Sequence, residues 1–146
     1  MKRTSAKSMI LVTLQMASIL YLVATTNFTV KPIPIIIIVA GIALGLISIA
    51  VMSKSKLRVT PEPAQQATLI QTGPYKFIRH PMYTSVLLFC AGCLVMSFSI
   101  YGTCVWLFLL IVLLIKLNYE EEMLLEAFPE YKEYMQRSYR LLPYLY

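Results

Sequence analysis

Long apolar runs alternate with short polar segments along this chain. The runs cover Ser8 to Thr25, Pro34 to Met52, Tyr83 to Phe98 and Tyr101 to Leu117. A helix needs roughly 20 residues to cross the hydrocarbon core of a bilayer, with a range of about 17–25, so the third run is marginal. The pattern predicts an all-α, polytopic integral membrane protein with about four transmembrane helices. Only Ser99 and Ile100 separate the last two runs, which predicts a tight helical hairpin turning near Gly102.

The composition also indicates a membrane protein, and the charge pattern predicts its orientation in the membrane. Of the 146 residues, 58% are hydrophobic and 14% are charged, against about 25% charged residues in ordinary soluble domains. All lysines and arginines except Lys31 lie before the first run, in the connector 53–82 or in the tail from Lys116 onward. The positive-inside rule therefore predicts that both termini and the connector are cytoplasmic. The net charge of +6 forms no stripe that would indicate nucleic-acid binding.

The same pattern predicts one domain over residues 1–146 and no metal site. Cys90, Cys93 and Cys104 all lie in apolar runs, where a free cysteine behaves as a small hydrophobic residue. Cys90 and Cys93 have C-x-x-C spacing, but no second cysteine or histidine pair completes a zinc site. Nothing in the sequence indicates an oligomeric state.

The densest polar cluster, GPYKFIRHPMY from Gly73 to Tyr83, comes directly before the third run. The preceding Thr72 with Gly73 and Pro74 predicts a turn. Pro81 suits the first turn of a helix, so His80 is expected just before a helix N-terminus, where an anion is favoured. Arg79, His80 and Tyr83 alone are also typical of interfacial anchoring by basic and aromatic side chains.

A second polar cluster, Glu120-Glu121-Glu122, follows the fourth run almost immediately. The helix is expected to continue through it and to end at Phe128, because Pro129 disfavours helical geometry in the residue before it. A short helix is predicted from Glu130 to Gln136, with Tyr131 and Tyr134 on one side at the membrane interface. Carboxylates at this depth are costly unless they are paired. The hairpin would bring Arg79, His80 and Lys116 beside them.

Two clusters that converge in this way predict a ligand site. Glutamates would suit ammonium or hydroxyl groups, while the basic residues and the helix N-terminus would suit a carboxylate. S-adenosylmethionine carries such groups. A nucleotide phosphate would also suit Arg79, although no Gly-rich phosphate loop is present.

The combination of GPYKFIRHPMY with a later EE-x-x-L-x-x-x-F and Y-x-x-Y resembles the membrane methyltransferases related to isoprenylcysteine carboxyl methyltransferase. Phospholipid N-methyltransferases share this C-terminal core, and the resemblance covers Leu69 to Pro143. The chain is similar to the small microbial members, having fewer helices ahead of the core. The resemblance implies a cytoplasmic S-adenosylmethionine site. The family's cofactor contacts fall on Gly73, His80, Pro81, Met82, Tyr83 and Glu120, with Glu121 completing the acidic pair.

The resemblance also implies a substrate contact at Lys116, where the family often has arginine. Lysine keeps the charge and loses the two-pronged geometry of the guanidinium. The family's usual glycine after the phenylalanine is Pro129 here. We therefore expect Arg79 and Lys116 to steer an anionic head group, with His80 as a base for any acceptor that must lose a proton. The acceptor stays open among an isoprenylated cysteine, a phospholipid amine, a thiol and a phenol. Competing interpretations are a sterol-type reductase and a non-catalytic lipid-binding or adaptor protein.

Overall fold

The computed structural model describes residues 6–53 and 69–143 and shows an all-helical architecture in those ranges. The helices are α1 (Ala6–Ala24), α2 (Pro32–Met52), α3 (Pro81–Met96), α4 (Ile100–Ala127) and α5 (Tyr131–Gln136), with a 3₁₀ helix at Gly73–Lys76. By length and apolar composition, α1, α2 and α4 can each cross a membrane, while α3 is shorter. The all-helical prediction is confirmed. A total of four spans stays a prediction.

The orientation also stays a prediction. The positive-inside argument used several basic side chains that lie outside the described residues, namely Lys2, Arg3, Lys54, Lys56 and Arg58. In the described part of the chain, the short segment between α1 and α2 carries Lys31, whose Nζ donates to the Met96 carbonyl at 3.2 Å. That bond ties the α1–α2 connection to the end of α3.

The α3–α4 hairpin turns at residues 97–99, earlier than the sequence suggested. Ser99 caps α4, and its hydroxyl accepts a hydrogen bond from the Gly102 N–H at 3.0 Å. Gly102 therefore lies in the first turn of α4 and is not the turn itself. A Cβ there would stand 2.9 Å from Ser99 Oγ and 3.0 Å from Leu94 Cδ1, so the glycine serves close packing.

Helix α3 packs more extensively against α2 than against its hairpin partner α4. Glycines on both sides permit this, since a Cβ on Gly41 would stand 2.7 Å from the Phe89 nitrogen and one on Gly92 would stand 2.6 Å from Ile38. Small residues let helices approach closely where lipid provides no hydrophobic drive. Helix α1 packs mainly against α4. The α3–α4 core is built around the fully buried Leu109, Leu113, Leu117 and Cys90.

The chain after α4 folds back over the end of the bundle where α3 begins and α4 ends. Helix α4 ends at Ala127 with Phe128 as its cap, as Pro129 predicted. After α5 the chain pairs with the segment that precedes α3. The Arg79 N–H donates to the Tyr139 carbonyl at 2.7 Å, and the His80 N–H donates to the Arg140 carbonyl at 3.1 Å. The Thr84 hydroxyl donates to the Leu141 carbonyl at 2.7 Å, which fastens the tail to α3.

Candidate active site

The segment leading into α3 is shaped by its glycine and prolines. Gly73 adopts a φ of 60°, a conformation that glycine reaches without the steric cost of a side chain. The 3₁₀ helix that begins there buries Tyr75. His80 is the N-cap of α3 and Pro81 occupies its first turn, as predicted. This turn holds the His80 ring at the N-terminal end of α3.

The two polar clusters meet in space, which confirms the convergence predicted from the hairpin. The Tyr83 hydroxyl donates to Glu120 Oε2 at 2.6 Å. Arg79 Nε donates to Glu121 Oε1 at 2.7 Å. Each bond joins the start of α3 to the end of α4. Glu122 points away and is exposed.

His80 lies between the two glutamates. Its Nδ1 is 3.6 Å from Glu120 Oε2 and its Nε2 is 3.4 Å from Glu121 Oε1. The ring is 6% exposed and stacks on Tyr83, with ring centroids 5.4 Å apart. Burial alone would lower the pKa of His80, but the two carboxylates outweigh it and raise the pKa above the ordinary value. Both ring nitrogens face an anion, which favours the protonated ring more than in a histidine exposed to water.

The Arg79 side chain bonds mainly to the part of the chain that follows α4. Besides Glu121, its guanidinium donates to the Met135 carbonyl at 3.2 Å and to the Ser138 carbonyl. The side chains of Arg79 and Glu121 are only 7% and 4% exposed. Arg140 adds a second contact, with Nη2 at 3.0 Å from Glu121 Oε2. This buried ion cluster fixes the returning tail against the segment that carries His80.

The tyrosines of α5 belong to the same cluster. Tyr131 and Tyr134 share one side of the helix, as predicted, and both are buried in protein with Leu124. The Tyr131 hydroxyl donates to Glu121 Oε1 at 3.5 Å, and the Tyr134 hydroxyl donates to the Tyr75 carbonyl. Burial raises the pKa of Tyr134 to about 12. These rings hold the site segment in place, a different role from the interfacial contact expected of them.

A cavity of about 450 Å³ opens beside this cluster, within the size range of about 300–1,000 Å³ typical of ligand pockets. Its wall combines residues from α1, α2, α3, α4 and the segment before α3: Gln15, Gly45, Ile49, Met52, Ser53, Tyr75, Arg79, His80, Met82, Tyr83, Ser85, Val86, Lys116 and Glu120. Six of the predicted site residues therefore line one cavity. Gly73, Pro81 and Glu121 do not, and they support the residues that do.

Lys116 of α4 lines the cavity. It is 3% exposed, and its Nζ donates to Gln15 Oε1 at 3.0 Å. The same ammonium lies 5.1 Å from the centre of the Tyr83 ring. Gln15 comes from α1, far from the other site residues in sequence. The sequence analysis missed it, although it is the one carboxamide in the first apolar run.

Tyr75 is a second residue that the sequence analysis missed, despite its place in the polar stretch. Its hydroxyl is buried, and within the described part of the chain it has no hydrogen-bond partner. Tyr75 also lines the cavity. A buried polar group without a partner costs free energy, and ligand sites are one place where such groups occur. This hydroxyl is thus available to a bound molecule.

Comparison with known protein families gives a match. A family model described as phospholipid methyltransferase matches residues 30–131, which is well over half of the chain and includes all of α2, α3 and α4. This match confirms the resemblance seen in the sequence. Helix α1 and the returning tail lie outside it. A search of curated proteins found no matching relative.

Proposed function

The chain belongs to the phospholipid methyltransferase family, and from this premise we propose that it is an S-adenosylmethionine-dependent membrane methyltransferase. Its acceptor would be a lipophilic or membrane-associated molecule, as for isoprenylcysteine carboxyl methyltransferase. The single observation that carries the proposal is the cavity in which His80, Tyr83 and Glu120 meet beside a membrane-spanning bundle. We propose that this cavity admits both a polar donor and a lipid.

The residues present fit the methyl donor. The unpartnered Tyr75 hydroxyl offers a hydrogen bond, and the Glu120 carboxylate offers a counter-charge to an ammonium group. We propose that His80, Met82, Tyr83 and Glu120 hold the donor, with Tyr75 as a further contact. When bound, S-adenosylmethionine supplies an electrophilic methyl group: the acceptor forms a bond to its carbon while the carbon–sulfur bond breaks and the electron pair stays on sulfur.

The protein's own contribution is then positioning and exclusion of water, which can supply several kcal/mol of a displacement barrier. In this proposal Gly73 and Pro81 set the backbone of the segment that carries His80. Arg79 and Glu121 hold that segment against the tail. His80, with both ring nitrogens facing carboxylates, acts as a buried cation and not as a base.

The lipid would reach the cavity from the bilayer. Helices α1 and α2 each pack on other helices and make little contact with each other. Both helices contribute to the cavity wall, α1 through Gln15 and α2 through Gly45 and Ile49. We propose that the lipid enters between these two helices. We place this end of the bundle in the cytoplasm, where soluble methyl donor is present, in agreement with the basic residues that surround it.

The second candidate is N-methylation of a phospholipid amine, which the family match favours. The third candidate is a non-catalytic lipid-binding role, which does not explain why the cavity is lined by polar and charged side chains. Both methyltransferase candidates require the methyl donor to bind, whereas the third does not. Donor binding therefore separates the classes before any acceptor is known.

The test is calorimetric titration of S-adenosylmethionine and S-adenosylhomocysteine into the purified protein in detergent. Wild type is expected to bind, and His80→Ala and Glu120→Ala are expected to weaken binding by more than about tenfold, since each removes a charged contact worth over ~1.4 kcal/mol. Glu122→Ala is the matched control in the same acidic run and should bind like wild type. Folded wild-type protein that binds neither compound would remove the methyltransferase proposal.

A further inference from the structure

The wall that α2 gives to the cavity is largely apolar. Helix α2 contributes Gly45, Ile49 and Met52, which share one face of the helix because they are spaced four and three residues apart. The charged side chains of the site, His80 and Glu120 among them, come from the segment before α3 and from α4. A methyl donor held by those charged groups would leave the α2 wall to the apolar chain of the acceptor. This assignment rests on the proposed function.

Two other glycines at the contact between α2 and α3 are needed for packing. A Cβ on Gly41 would stand 2.7 Å from the Phe89 backbone nitrogen, and one on Gly92 would stand 3.0 Å from the Ile38 backbone nitrogen. A backbone atom cannot give way as a flexible side chain does. These glycines therefore allow the two helices to approach closely, as small residues commonly do between membrane helices.

Gly45 is different, because the packing of the helices does not require it. Among the described residues, no backbone atom of another helix lies within 4 Å of the place that a Cβ on Gly45 would take. Such a Cβ would meet only the Ser85 side chain, with Oγ at 3.1 Å and Cβ at 3.5 Å. A shift of a few tenths of an ångström in that side chain would admit an alanine. Another reason is needed for a glycine at this position.

The cavity supplies that reason. Gly45 and Ser85 both line it, so the missing side chain widens the cavity where α2 and α3 begin to separate. An independent observation indicates that the cavity holds a ligand: the buried Tyr75 hydroxyl lines it and has no hydrogen-bond partner in the part of the chain that the structure describes. Buried polar groups are normally paired. The space at Gly45 is thus part of a cavity built for an occupant.

We infer that Gly45 sets the width of the lipid chain that the cavity accepts. The acceptor's apolar chain passes along Gly45, Ile49 and Met52, and the absent side chain leaves room for a chain wider than a straight alkyl, one that carries methyl branches or a ring. In an apolar pocket, one methylene more or less changes discrimination about 10- to 200-fold. A side chain as small as that of alanine or valine at position 45 is therefore enough to exclude the wider chain.

The test compares hexadecanol with phytanol, which have the same main chain and the same neutral head group and differ in the methyl branches of phytanol. Each is titrated into the full-length protein in nanodiscs saturated with S-adenosylhomocysteine, whose own binding is measured first on the same sample. Wild type is expected to bind phytanol at least as tightly as hexadecanol. Gly45→Ala should weaken phytanol binding several-fold and Gly45→Val about tenfold or more, while hexadecanol binding changes far less.

Further variants separate cavity width from helix packing. Ala43→Val enlarges a side chain on the exposed face of α2 and should bind both lipids as wild type does. Gly41→Ala should lower the unfolding temperature, because its Cβ meets the α3 backbone, and should keep the wild-type ratio of the two affinities. Ile49→Ala removes volume from the same wall one turn from Gly45, so adding it to Gly45→Val should restore phytanol binding. It would not relieve a strained contact with Ser85.

Three results would overturn the inference: wild type that rejects phytanol, Gly45→Val that treats the two lipids alike, or phytanol binding that Ile49→Ala does not restore. Loss of S-adenosylhomocysteine binding in Gly45→Val with unchanged lipid binding would also overturn it, because the donor and not the acceptor would then lie against Gly45. Wild type that fails to bind S-adenosylhomocysteine contradicts the proposed function instead, and the same lipid titrations without it still report on Gly45.

Discussion

Glu120 and Glu121 are consecutive residues of α4, yet they belong to two regions of different character. Successive helical residues point about 100° apart, so Glu120 faces the cavity with Lys116 and Tyr83, while Glu121 faces the tail with Arg79 and Arg140. The Glu120 side chain is 24% exposed and the Glu121 side chain is 4% exposed. We call these regions the cavity side and the tail side.

The two sides differ in how completely their charges are paired. On the tail side, Glu121 contacts two arginines and a tyrosine, and Arg79 also satisfies backbone carbonyls. On the cavity side, the Tyr75 hydroxyl has no hydrogen-bond partner in the described residues, and the Lys116 ammonium donates a hydrogen bond to the neutral Gln15. A paired cluster stabilises a fold, whereas an incompletely paired one is available to a ligand. The same short sequence thus supplies both structure and site.

The largest effect is expected from breaking the tail side. Arg79→Met leaves the buried Glu121 with Arg140 and His80 as its basic neighbours. Removing one partner of a buried pair costs about 3–5 kcal/mol. Chemical unfolding in detergent measures this loss. Arg137→Met is the matched control, because its ion pair with Glu133 is exposed and such pairs contribute about 0–1 kcal/mol. Equal stability of the two variants would contradict the division into two sides.

A smaller effect is expected from pH, through the histidine that joins the two sides. The pKa of His80 is raised in the folded protein, so its ring binds a proton more tightly when folded than when unfolded. Its contribution to stability is complete below the unfolded pKa of about 6.5 and is lost as pH rises through the folded pKa. Thermal stability of wild type should fall over that interval, and His80→Gln should lack this component. Parallel curves for the two proteins would show that His80 is not charged in the fold.

Much of this arrangement follows from local sequence rules. Apolar runs predicted the long helices, Pro81 and Pro129 predicted where α3 begins and α4 ends, and the short hairpin predicted that His80 would meet Glu120. These predictions use contacts between residues that are close in the chain or joined by a tight turn.

Contacts between distant segments could not be predicted in this way. Gln15 reaches Lys116 only because α1 packs on α4, and no periodicity in either helix determines that pairing. The pairing of Ile78 with Tyr139 likewise depends on the tail folding back after α5. Arg79 was expected to steer an anionic head group, which stays a prediction. Its hydrogen bonds to the carbonyls of Met135 and Ser138 could not be predicted, because only the folded tail brings those carbonyls near.

The most direct test of the account compares Glu120→Gln with Glu121→Gln by thermal unfolding, with and without S-adenosylhomocysteine. At a concentration of about 100 Kd, a ligand stabilises the folded state by about 2.7 kcal/mol. Without ligand, Glu120→Gln should unfold closer to the wild-type temperature than Glu121→Gln does, and it should gain little from the ligand. Glu121→Gln should unfold at a lower temperature and still be stabilised by ligand. The opposite assignment, or equal behaviour of the two variants, would contradict the proposal that these neighbouring glutamates divide binding from folding.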